Sequence, residues 1–420
     1  MGMTIAQKIL ARASGNQEVR TGEYVIADID LVMANDSGLK NIIPILNEAG
    51  VKKLWDPARI VAVFDHYSPP ATVEQAELHR KIRDSLKSFG VNNIYDVGVG
   101  IEHQVLVEKG WVVPGDLIVA GDSHTTTHGA LGAAATGIGS SEVAYVLAAG
   151  KLWFRVPETI KFILSGTLPP MITSKDVILY IAGKYSTSVA QYMAIEFTGL
   201  VAKEMSLESR LTMSNMSVEI GAKFAFFKPD EKVDEYIAER TTKQYKPVHA
   251  DKDAVYKAEH EIDVSNLPPQ VALPYEVDNV KPVSELTGTR IHQALLGSCT
   301  NGRIEDLRIA AEIMKGRKVH QDTRFLVIPA SSEVYNQAIS EGLIEVFIKA
   351  GGMICPPGCG ACFGSHMGLL ADGENCIASI NRNFKGRMGS PDSRVFLASP
   401  ATVAASAIEG KIADPRNYQE

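Results

Sequence analysis

Short apolar runs alternate with longer amphipathic stretches along most of the chain. The apolar runs are rich in Val and Ile and end abruptly at Gly, Pro or a polar residue, whereas the stretches after them have helical spacing. Strands that end at polar motifs are predicted at 60–64, 117–120, 293–296, 325–328 and 376–380. Helices are predicted at 5–13, 72–89, 141–150 and 175–184. This alternation predicts an α/β fold with mostly parallel sheets.

Two other stretches complete the pattern of the N-terminal region. The segment 23–30 alternates apolar and polar residues and is predicted as one strand. The run 129–139 is made of small residues and is interpreted as a Gly-rich connection in front of a helix. Because it lacks the Gly-Lys-Ser/Thr ending of a phosphate loop, no nucleotide site is predicted there.

The length of 420 residues is more than a single hydrophobic core supports, so the chain is expected to fold as several domains. A Pro-rich extended segment ends near Pro282 and indicates one boundary. We predict three domains, at 1–157, 158–282 and 283–420. Since ligands bind outside the carboxyl ends of parallel strands, the active site is expected in a cleft between the domains.

Charge and composition exclude several classes of partner. The net charge is −7 and the Lys and Arg residues are scattered, so neither nucleic acid nor a membrane surface is expected. The N-terminus has no signal-peptide core, and the sequence has no apolar run of about 18 residues. We therefore expect a cytoplasmic enzyme. Five cysteines do not make a disulfide framework at this size, and clustered cysteines in a reducing compartment favour a metal or a catalytic role.

Three cysteines have a spacing that predicts a metal centre. Cys359 and Cys362 form a Cys-x-x-Cys pair, and Cys299 lies upstream in the sequence Gly-Ser-Cys-Thr-Asn-Gly. A structural zinc site takes four ligands, and a ferredoxin-type cluster usually takes four cysteines. Three thiolates would leave one iron of a cubane cluster open, where it could act as a Lewis acid on a substrate oxygen.

Two less specific interpretations of these cysteines stay open. A zinc ion could be completed by Cys355 or by a histidine such as His366, or the thiols could simply fill space. Cys355 and Cys376 are treated as ordinary buried thiols.

Acid–imidazole pairs follow two of the predicted strands. Asp65-His66 ends one strand and Asp122-Ser123-His124 ends another, while His103 enters a predicted helix. A carboxylate beside an imidazole fixes its tautomer and supports its cation, which suits proton transfer near neutral pH. Each pair alone is more often a structural pair, but their repetition at strand ends favours function. Glu219 is a surface acid or, within a cleft, a further group for proton transfer.

Two arginines follow another strand. Arg382 and Arg387 lie in the sequence Asn-Arg-Asn-Phe-Lys-Gly-Arg. Guanidinium groups bind carboxylates in a bidentate manner, so this segment suits a di- or tricarboxylic acid. A basic surface loop is the alternative.

Taken together, these motifs resemble the aconitase superfamily over essentially the whole chain. The motifs are Gly-Ser-Cys299-Thr-Asn, Gly-Cys359-Gly-Ala-Cys362, Asp65-His66, Asp122-Ser-His124 and Asn381-Arg-Asn-Phe-x-x-Arg387. Their joint occurrence is highly specific. The length is similar to that of the separate large subunits in the two-subunit branch, whose members act on isopropylmalate, homoaconitate or 2,3-dimethylmalate. The resemblance implies three aconitase-type domains without the swivelling fourth domain.

The resemblance also implies a set of roles. A [4Fe-4S] cluster would be held by Cys299, Cys359 and Cys362, with one iron not ligated by cysteine. The acid and hydrogen-bonding network would consist of Asp65, His66, His103, Asp122, His124 and Glu219. The substrate would contact Asn35, Ser123, Arg382 and Arg387, and the cluster would be surrounded by Asn215, Asn301 and Asn381. The implied reaction is dehydration of a 2-hydroxy acid and rehydration on the neighbouring carbon, with the conversion of 2- to 3-isopropylmalate in leucine biosynthesis as the first expectation.

Two features depart from the family pattern. The catalytic base of the family is a serine in a Gly-Ser-Ser-Arg turn, and this motif does not occur in the sequence. The resemblance therefore implies a small subunit that supplies the serine and a specificity loop. Asn35 stands where aconitases carry Gln and many two-subunit members carry His, so a side chain that contacts the substrate is shortened here. This change weakens the prediction of citrate as substrate.

Two non-enzymatic alternatives belong to other classes. Some cluster-free relatives bind RNA, which the acidic charge balance and the lack of a basic face disfavour. A structural zinc protein is the other alternative. Bound metal distinguishes them, because iron with sulfide indicates the enzyme whereas stoichiometric zinc indicates the structural site.

Overall fold

Three sheets built mainly from parallel strands organise the structure. The computed structural model describes residues 2–364 and 366–418. The first sheet has five parallel strands in the order β4-β3-β2-β5-β6. A separate antiparallel pair, β1 with β7, flanks it. The mixed α/β architecture with mostly parallel sheets confirms the predicted fold class.

The elements of this first region run in chain order from α1 to β7. The helices are α1 (Ile5–Ser14), α2 (Asp36–Glu48), α3 (Val73–Ser88), α4 (Glu102–Glu108) and α5 (Ser140–Ala149). The strands are β1 (Tyr24–Asp28), β2 (Leu31–Asn35), β3 (Ile60–Val63), β4 (Ile94–Tyr95), β5 (Leu117–Ala120), β6 (Ala134–Gly137) and β7 (Lys151–Arg155). Short 3-10 helices lie at Pro57–Arg59 and Ser123–Leu131.

Local sequence explains these elements. All four residues of β3 are buried, as expected for a strand of a parallel sheet covered on both faces. The helix predicted at 72–89 is confirmed, and Thr72 begins it by accepting a hydrogen bond from the amide of Gln75.

Two predictions for this region were incomplete. The segment 23–30 contains one strand, β1, as predicted, but β1 pairs with β7 outside the main sheet, and the chain then enters the separate strand β2. Strand β2 was not predicted, because its continuous apolar run directly follows the alternating segment. The small-residue run at 129–139 contains strand β6, whose alanines fit where strand and 3-10 helix pack closely.

The second sheet has four parallel strands in the order β10-β9-β8-β11. Its strands are β8 (Thr159–Ser165), β9 (Ala194–Thr198), β10 (Phe224–Phe227) and β11 (Ala258–Asp263). Its helices are α6 (Ser174–Tyr185), α7 (Leu200–Glu204), α8 (Leu207–Met216) and α9 (Glu231–Ala238), with a 3-10 helix at Ser217–Ile220.

The third sheet has seven strands in the order β13-β12-β18-β17-β14-β15-β16. Its strands are β12 (Gln270–Ala272), β13 (Val280–Pro282), β14 (Gln293–Leu296), β15 (Arg324–Val327), β16 (Met353–Ile354), β17 (Asn375–Ala378) and β18 (Arg394–Ala398). Its helices are α10 (Ser298–Asn301), α11 (Ile304–Met314), α12 (Ser332–Ser340), α13 (Leu343–Ala350), α14 (Gly360–Phe363) and α15 (Pro400–Glu409), with 3-10 helices at Val283–Glu285 and Pro415–Tyr418. Strand β12 is antiparallel to both of its neighbours, β13 and β18, whereas the other described pairings in this sheet are parallel.

Membership of the sheets bears on the predicted domain boundaries, which remain a prediction. Strands β12 and β13 precede residue 282 but pair within the third sheet. We therefore propose that the second boundary lies between β11 and β12 rather than at 282. The cores are nevertheless shared, since one buried apolar cluster joins Phe162 and Ile178 of the second region to Leu295 and Leu326 of the third.

None of the helices formed by residues 2–364 and 366–418 is both long and apolar enough to span a bilayer.

Helix α6 is fastened to the third sheet by one buried carboxyl group. Asp176 Oδ1 accepts a hydrogen bond from the amide of Gln270, at 2.9 Å, at the start of β12. Asp176 Oδ2 accepts from the amide and the hydroxyl of Thr173, at 2.9 and 3.1 Å. Burial raises the pKa of Asp176 to about 6, because an ionised carboxylate is poorly solvated there. The three hydrogen bonds offset this cost of burial and keep the side chain in position.

We predict that Asp176→Asn lowers the free energy of unfolding by about 1–3 kcal/mol, because an amide offers one acceptor oxygen where the carboxyl group offers two. Chemical denaturation of the purified chain measures the change. The control is Asp322→Asn at an exposed position, which should stay within about 0.5 kcal/mol of wild type. Equal midpoints for both variants would contradict the role of Asp176.

Candidate active site

The carboxyl ends of three neighbouring strands bring the predicted acids and imidazoles of the first region together. Asn35 ends β2, Asp65 and His66 follow β3, and Asp122 follows β5. The Nδ1 atom of His66 lies 2.7 Å from Asp65 Oδ1. Burial alone would lower the pKa of His66, but the adjacent Asp65 carboxylate raises it to about 9.

Two further imidazoles are paired with acids in the same way. His103 Nε2 lies 2.9 Å from Asp122 Oδ1, and His124 Nε2 lies 2.7 Å from Glu219 Oε1. Although burial disfavours its charge, hydrogen bonds from His103 and His124 keep the pKa of Asp122 well below its ordinary value. All four sequence motifs that carry acid–imidazole chemistry therefore meet in one place.

Glu219 also connects these groups to the third region. The Nε atom of Arg382 lies 2.7 Å from Glu219 Oε1, as an ion pair without a hydrogen-bonding angle. Glu219 is therefore buried between an imidazole and a guanidinium group. The interpretation as a surface acid is wrong, since its side chain is almost fully buried.

The cysteine turns approach from the opposite side. Cys299 follows β14 after Gly297 and Ser298, whose φ angles of 158° and 78° form a turn that an ordinary residue rarely adopts. Cys359 and Cys362 lie at helix α14, and the amide of Cys359 donates to the carbonyl of Asp65 at 2.9 Å. The third region therefore docks on the end of β3 through this turn.

Amide and guanidinium donors surround the sulfur atoms. Asn215 Nδ2 lies 3.3 Å and Asn381 Nδ2 lies 3.5 Å from Cys299 Sγ. Arg387 Nη2 lies 3.9 Å from Cys362 Sγ. Burial raises the pKa of the Cys299 thiol to about 12 and that of Cys359 above its ordinary value as well. N–H donors aimed at sulfur fit thiolates whose charge is balanced by a bound cation.

The side-chain amide of Asn301 is bonded within its own turn. Its Nδ2 donates to Asp306 Oδ1 at 2.8 Å rather than to a cysteine. Asn215, by contrast, spans all three regions, since it also donates to Thr127 Oγ1 and accepts from Thr300 Oγ1, both at 2.8 Å.

A cavity of about 270 Å³ lies where these groups converge. Among the predicted residues, its walls include Asn35, His66, His103, Asp122, His124, Cys299, Cys359, Cys362, Asn381, Arg382 and Arg387. Ser123 lines the adjacent cavity instead. Neither Cys355 nor His366 lines the site, and His366 Nε2 is bonded to the carbonyl of Pro69 at 2.6 Å.

The spacing of the sulfur atoms decides between a single ion and a larger group. Sulfurs around one zinc, each about 2.3 Å from the metal, lie about 3.8 Å apart. Within residues 2–364 and 366–418, the three cysteines do not form a set whose ligand atoms all lie within 4.8 Å of one another. A single zinc ion held by all three thiols does not fit this arrangement.

Comparison with known proteins identifies the family of this chain. The sequence model of the Aconitase family (aconitate hydratase) matches residues 7–410. The chain belongs to the aconitase family. It is 53% identical to 3-isopropylmalate dehydratase large subunit 1 of Methanopyrus kandleri, with all of both chains covered. It is 49% identical to the 3-isopropylmalate dehydratase large subunit of Aquifex aeolicus, over 99% of this chain and 97% of that one.

A solved structure shows the same fold. The holo form of Thermococcus kodakaraensis aconitase X aligns with a TM-score of 0.50 at 14% identity, over 90% of this chain and 88% of that one. At this identity the similarity concerns the fold alone. Membership of the aconitase family confirms the resemblance inferred from the cysteine, Asp-His and Arg motifs.

Several buried polar residues around the site were not predicted. Asp36 accepts from the amides of His66 and Tyr67, at 3.1 and 2.9 Å, and lies 2.9 Å from His79 Nε2. Lys175 is fully buried and donates to the carbonyls of Ser379 and Ile380. Glu102 lines the cavity beside His103. Only Glu102 had a sequence signal, its place next to a predicted histidine.

Arg303 is a fourth unpredicted residue, and it supports Cys299 from behind. Its side chain is 1% exposed. The guanidinium group donates to the carbonyl oxygens of Cys299 and Thr300 and, at 2.9 Å, to Gln104 Oε1. It thereby fixes the turn that carries Cys299 and joins it to helix α4.

We predict that Arg303→Lys lowers the free energy of unfolding by about 2–4 kcal/mol, because an ammonium group cannot reproduce the planar set of donors. The matched control is Arg308→Lys on helix α11, where an exposed guanidinium pairs with Glu341. The control should change stability by less than about 1 kcal/mol. Similar losses in both variants would contradict a special role for Arg303.

Proposed function

We propose that the chain is the large subunit of a 3-isopropylmalate dehydratase, which converts 2-isopropylmalate to 3-isopropylmalate by dehydration and rehydration. One observation carries the proposal: three thiols, paired acids and imidazoles, and two arginines meet in a single cavity. The relatives that cover the whole chain at about half identity carry this name, which favours isopropylmalate over homocitrate and dimethylmalate.

Membership of the aconitase family implies a [4Fe-4S] cluster. We propose that Cys299, Cys359 and Cys362 hold it, since all three line one cavity and are too widely spaced for one zinc ion. The sulfur atoms of Cys299 and Cys362 also receive N–H donors from Asn215, Asn381 and Arg387. When bound, such a cluster supplies a Lewis-acidic iron for a substrate oxygen.

The arginines bind and orient the acid. Arg382 and Arg387 both line the cavity, and guanidinium groups recognise carboxylates through paired N–H donors. Arg382 is held by Glu219, which limits its rotation. Asn35 keeps one N–H for the substrate, because only one is used among residues 2–364 and 366–418. Ser123, at the edge of the neighbouring cavity, completes the predicted contacts.

The imidazoles hold and move protons. Asp65 occupies Nδ1 of His66, so Nε2 is the atom that can give a proton to the departing hydroxyl group, which then leaves as water. Asp122 and Glu219 orient His103 and His124 in the same manner. The proton on the neighbouring carbon is taken by the serine of a small subunit, which also supplies the specificity loop. Rehydration then adds the hydroxyl group to that neighbouring carbon and a proton to the carbon that first carried the hydroxyl group.

We predict that anaerobic reconstitution with iron and sulfide gives about four irons per chain, and that Cys299→Ser, Cys359→Ser and Cys362→Ser each lower iron and sulfide content. Matched controls are Cys355→Ser and Cys376→Ser, because these buried thiols lie outside the cavity. Iron and sulfide analysis with visible absorbance measures the result. Equal iron in all five variants, or stoichiometric zinc without sulfide, would overturn the cluster assignment.

A second prediction concerns the partner. The reconstituted chain alone should not turn over 2-isopropylmalate, because it lacks the serine base, and addition of a small subunit should restore activity. The ultraviolet absorbance of the unsaturated intermediate reports the reaction. A small subunit whose serine is replaced by alanine is the control and should restore nothing. Substantial turnover by the chain alone would contradict the two-subunit assignment.

A further inference from the structure

Glu102 carries a carboxyl oxygen that no group in the described residues satisfies. The side chain is 1% exposed and lines the cavity at the start of helix α4. Its Oε1 accepts a hydrogen bond from Asn35 Nδ2 at 2.9 Å. Its Oε2 is buried and without a hydrogen-bond partner among residues 2–364 and 366–418. Because buried polar atoms are normally bonded, an unsatisfied oxygen in a cavity wall indicates a ligand contact.

The carboxyl group of Glu102 is central to the site. One side-chain ligand atom each from His66, Glu102 and Asp122 lie within 4.8 Å of one another, so the three groups surround a single point. His66 is engaged by Asp65, and Asp122 is engaged by His103 and by the amide of His124. Glu102 is therefore the member of this trio whose functional group is still partly free.

The backbone and Asn35 hold Glu102 in this orientation. The amide of Glu102 donates to Asp65 Oδ2 at 2.8 Å. Asn35 is itself fixed, because its Oδ1 caps helix α2 by accepting from the amide of Gly38 at 2.7 Å. The backbone amide and the carboxyl group of Glu102 are therefore both fixed, which preorganises the side chain for contact with a bound molecule.

We propose that Glu102 is a further catalytic residue, whose free carboxyl oxygen donates a hydrogen bond to an oxygen of the bound hydroxy acid, opposite Arg382 and Arg387. This inference rests on the proposed function. It goes beyond that function because it assigns a hydrogen-bond donor for the anionic substrate to the part of the cavity wall that the first region forms.

The surroundings keep this carboxyl group neutral. Burial and the nearby Asp65 and Asp122 carboxylates raise the pKa of Glu102 well above its ordinary value, although the bond from Asn35 acts in the opposite direction. The charged or titratable groups that face it are Asp36, Asp65, His66, His103, Asp122 and Cys359. A protonated carboxyl group has one O–H donor, which an ionised one lacks.

The test compares Glu102→Gln with Glu102→Val in the complex with the small subunit. Gln keeps an N–H donor of similar shape, so kcat/KM for 2-isopropylmalate should stay within about fivefold of wild type. Val removes the donor and should lower kcat/KM about 10- to 100-fold, mainly through KM. The control is Glu108→Gln on the same helix, a buried acid bonded to Ser331 and Gln104 outside the cavity.

Two further measurements separate contact with substrate from a structural effect. The decline of the wild-type rate at alkaline pH should contain an ionisation of Glu102 in addition to that of His66, and the Gln variant should lose only the Glu102 component. Calorimetric titration of the isolated, cluster-loaded chain with 2-isopropylmalate should show affinity weakened about 10- to 100-fold by Val and little changed by Gln. Iron content should be the same in all variants.

Opposite results would overturn the inference. Val activity and affinity equal to wild type would do so while leaving the proposed function intact. A Gln variant as impaired as Val, with the loss in kcat, would show proton transfer rather than hydrogen bonding. If the wild-type complex with the small subunit binds 2-isopropylmalate without turning it over, the proposed function fails and the affinity ratio still decides the role of Glu102. Absence of binding to the wild-type complex would overturn both.

Discussion

Buried charge is the constraint on which the arrangement of this molecule depends. A buried ionised group is tolerated only when a partner meets it, and here the partner usually comes from another part of the chain. Glu219, beyond helix α8, meets His124 from the first region and Arg382 from the third. Displacement of any region would leave one of these groups unpaired, so the pairs fix the regions relative to one another.

The second region contributes few groups to the cavity wall but holds the other two in place. Asn215 bonds both to Thr127 and to the turn of Cys299, and Lys175 donates to the carbonyls that precede Asn381 and Arg382. The apolar core continues across the same junction. Substitutions in this region therefore act on the site through the position of its groups rather than through direct contact with a ligand.

Much of the site was predictable because parallel strands place their carboxyl ends along one edge. Asp65 and Asp122 each follow a buried run of the first sheet, whose strand order brings them to one edge. Cys299 follows a buried run of the third sheet, and it reaches the same place because the third region docks on the end of β3. Strand β6 escaped prediction because small residues give no periodic signal. The burial of Arg303 and Lys175 was likewise unpredictable, since a lone basic residue in a sequence is normally exposed and only tertiary packing surrounds it with carbonyls.

The distribution of charge across the cavity explains why one acid differs from the rest. Asp65 and Asp122 are each matched by a histidine, while Arg382 and Arg387 line the opposite wall. The Glu102 carboxyl receives its hydrogen bond from an amide. If it were ionised, it would add a negative charge beside Asp65 and Asp122, facing a dicarboxylate. Because neighbouring carboxylates and burial favour its neutral form, the same wall that would repel a dianion instead offers it a donor.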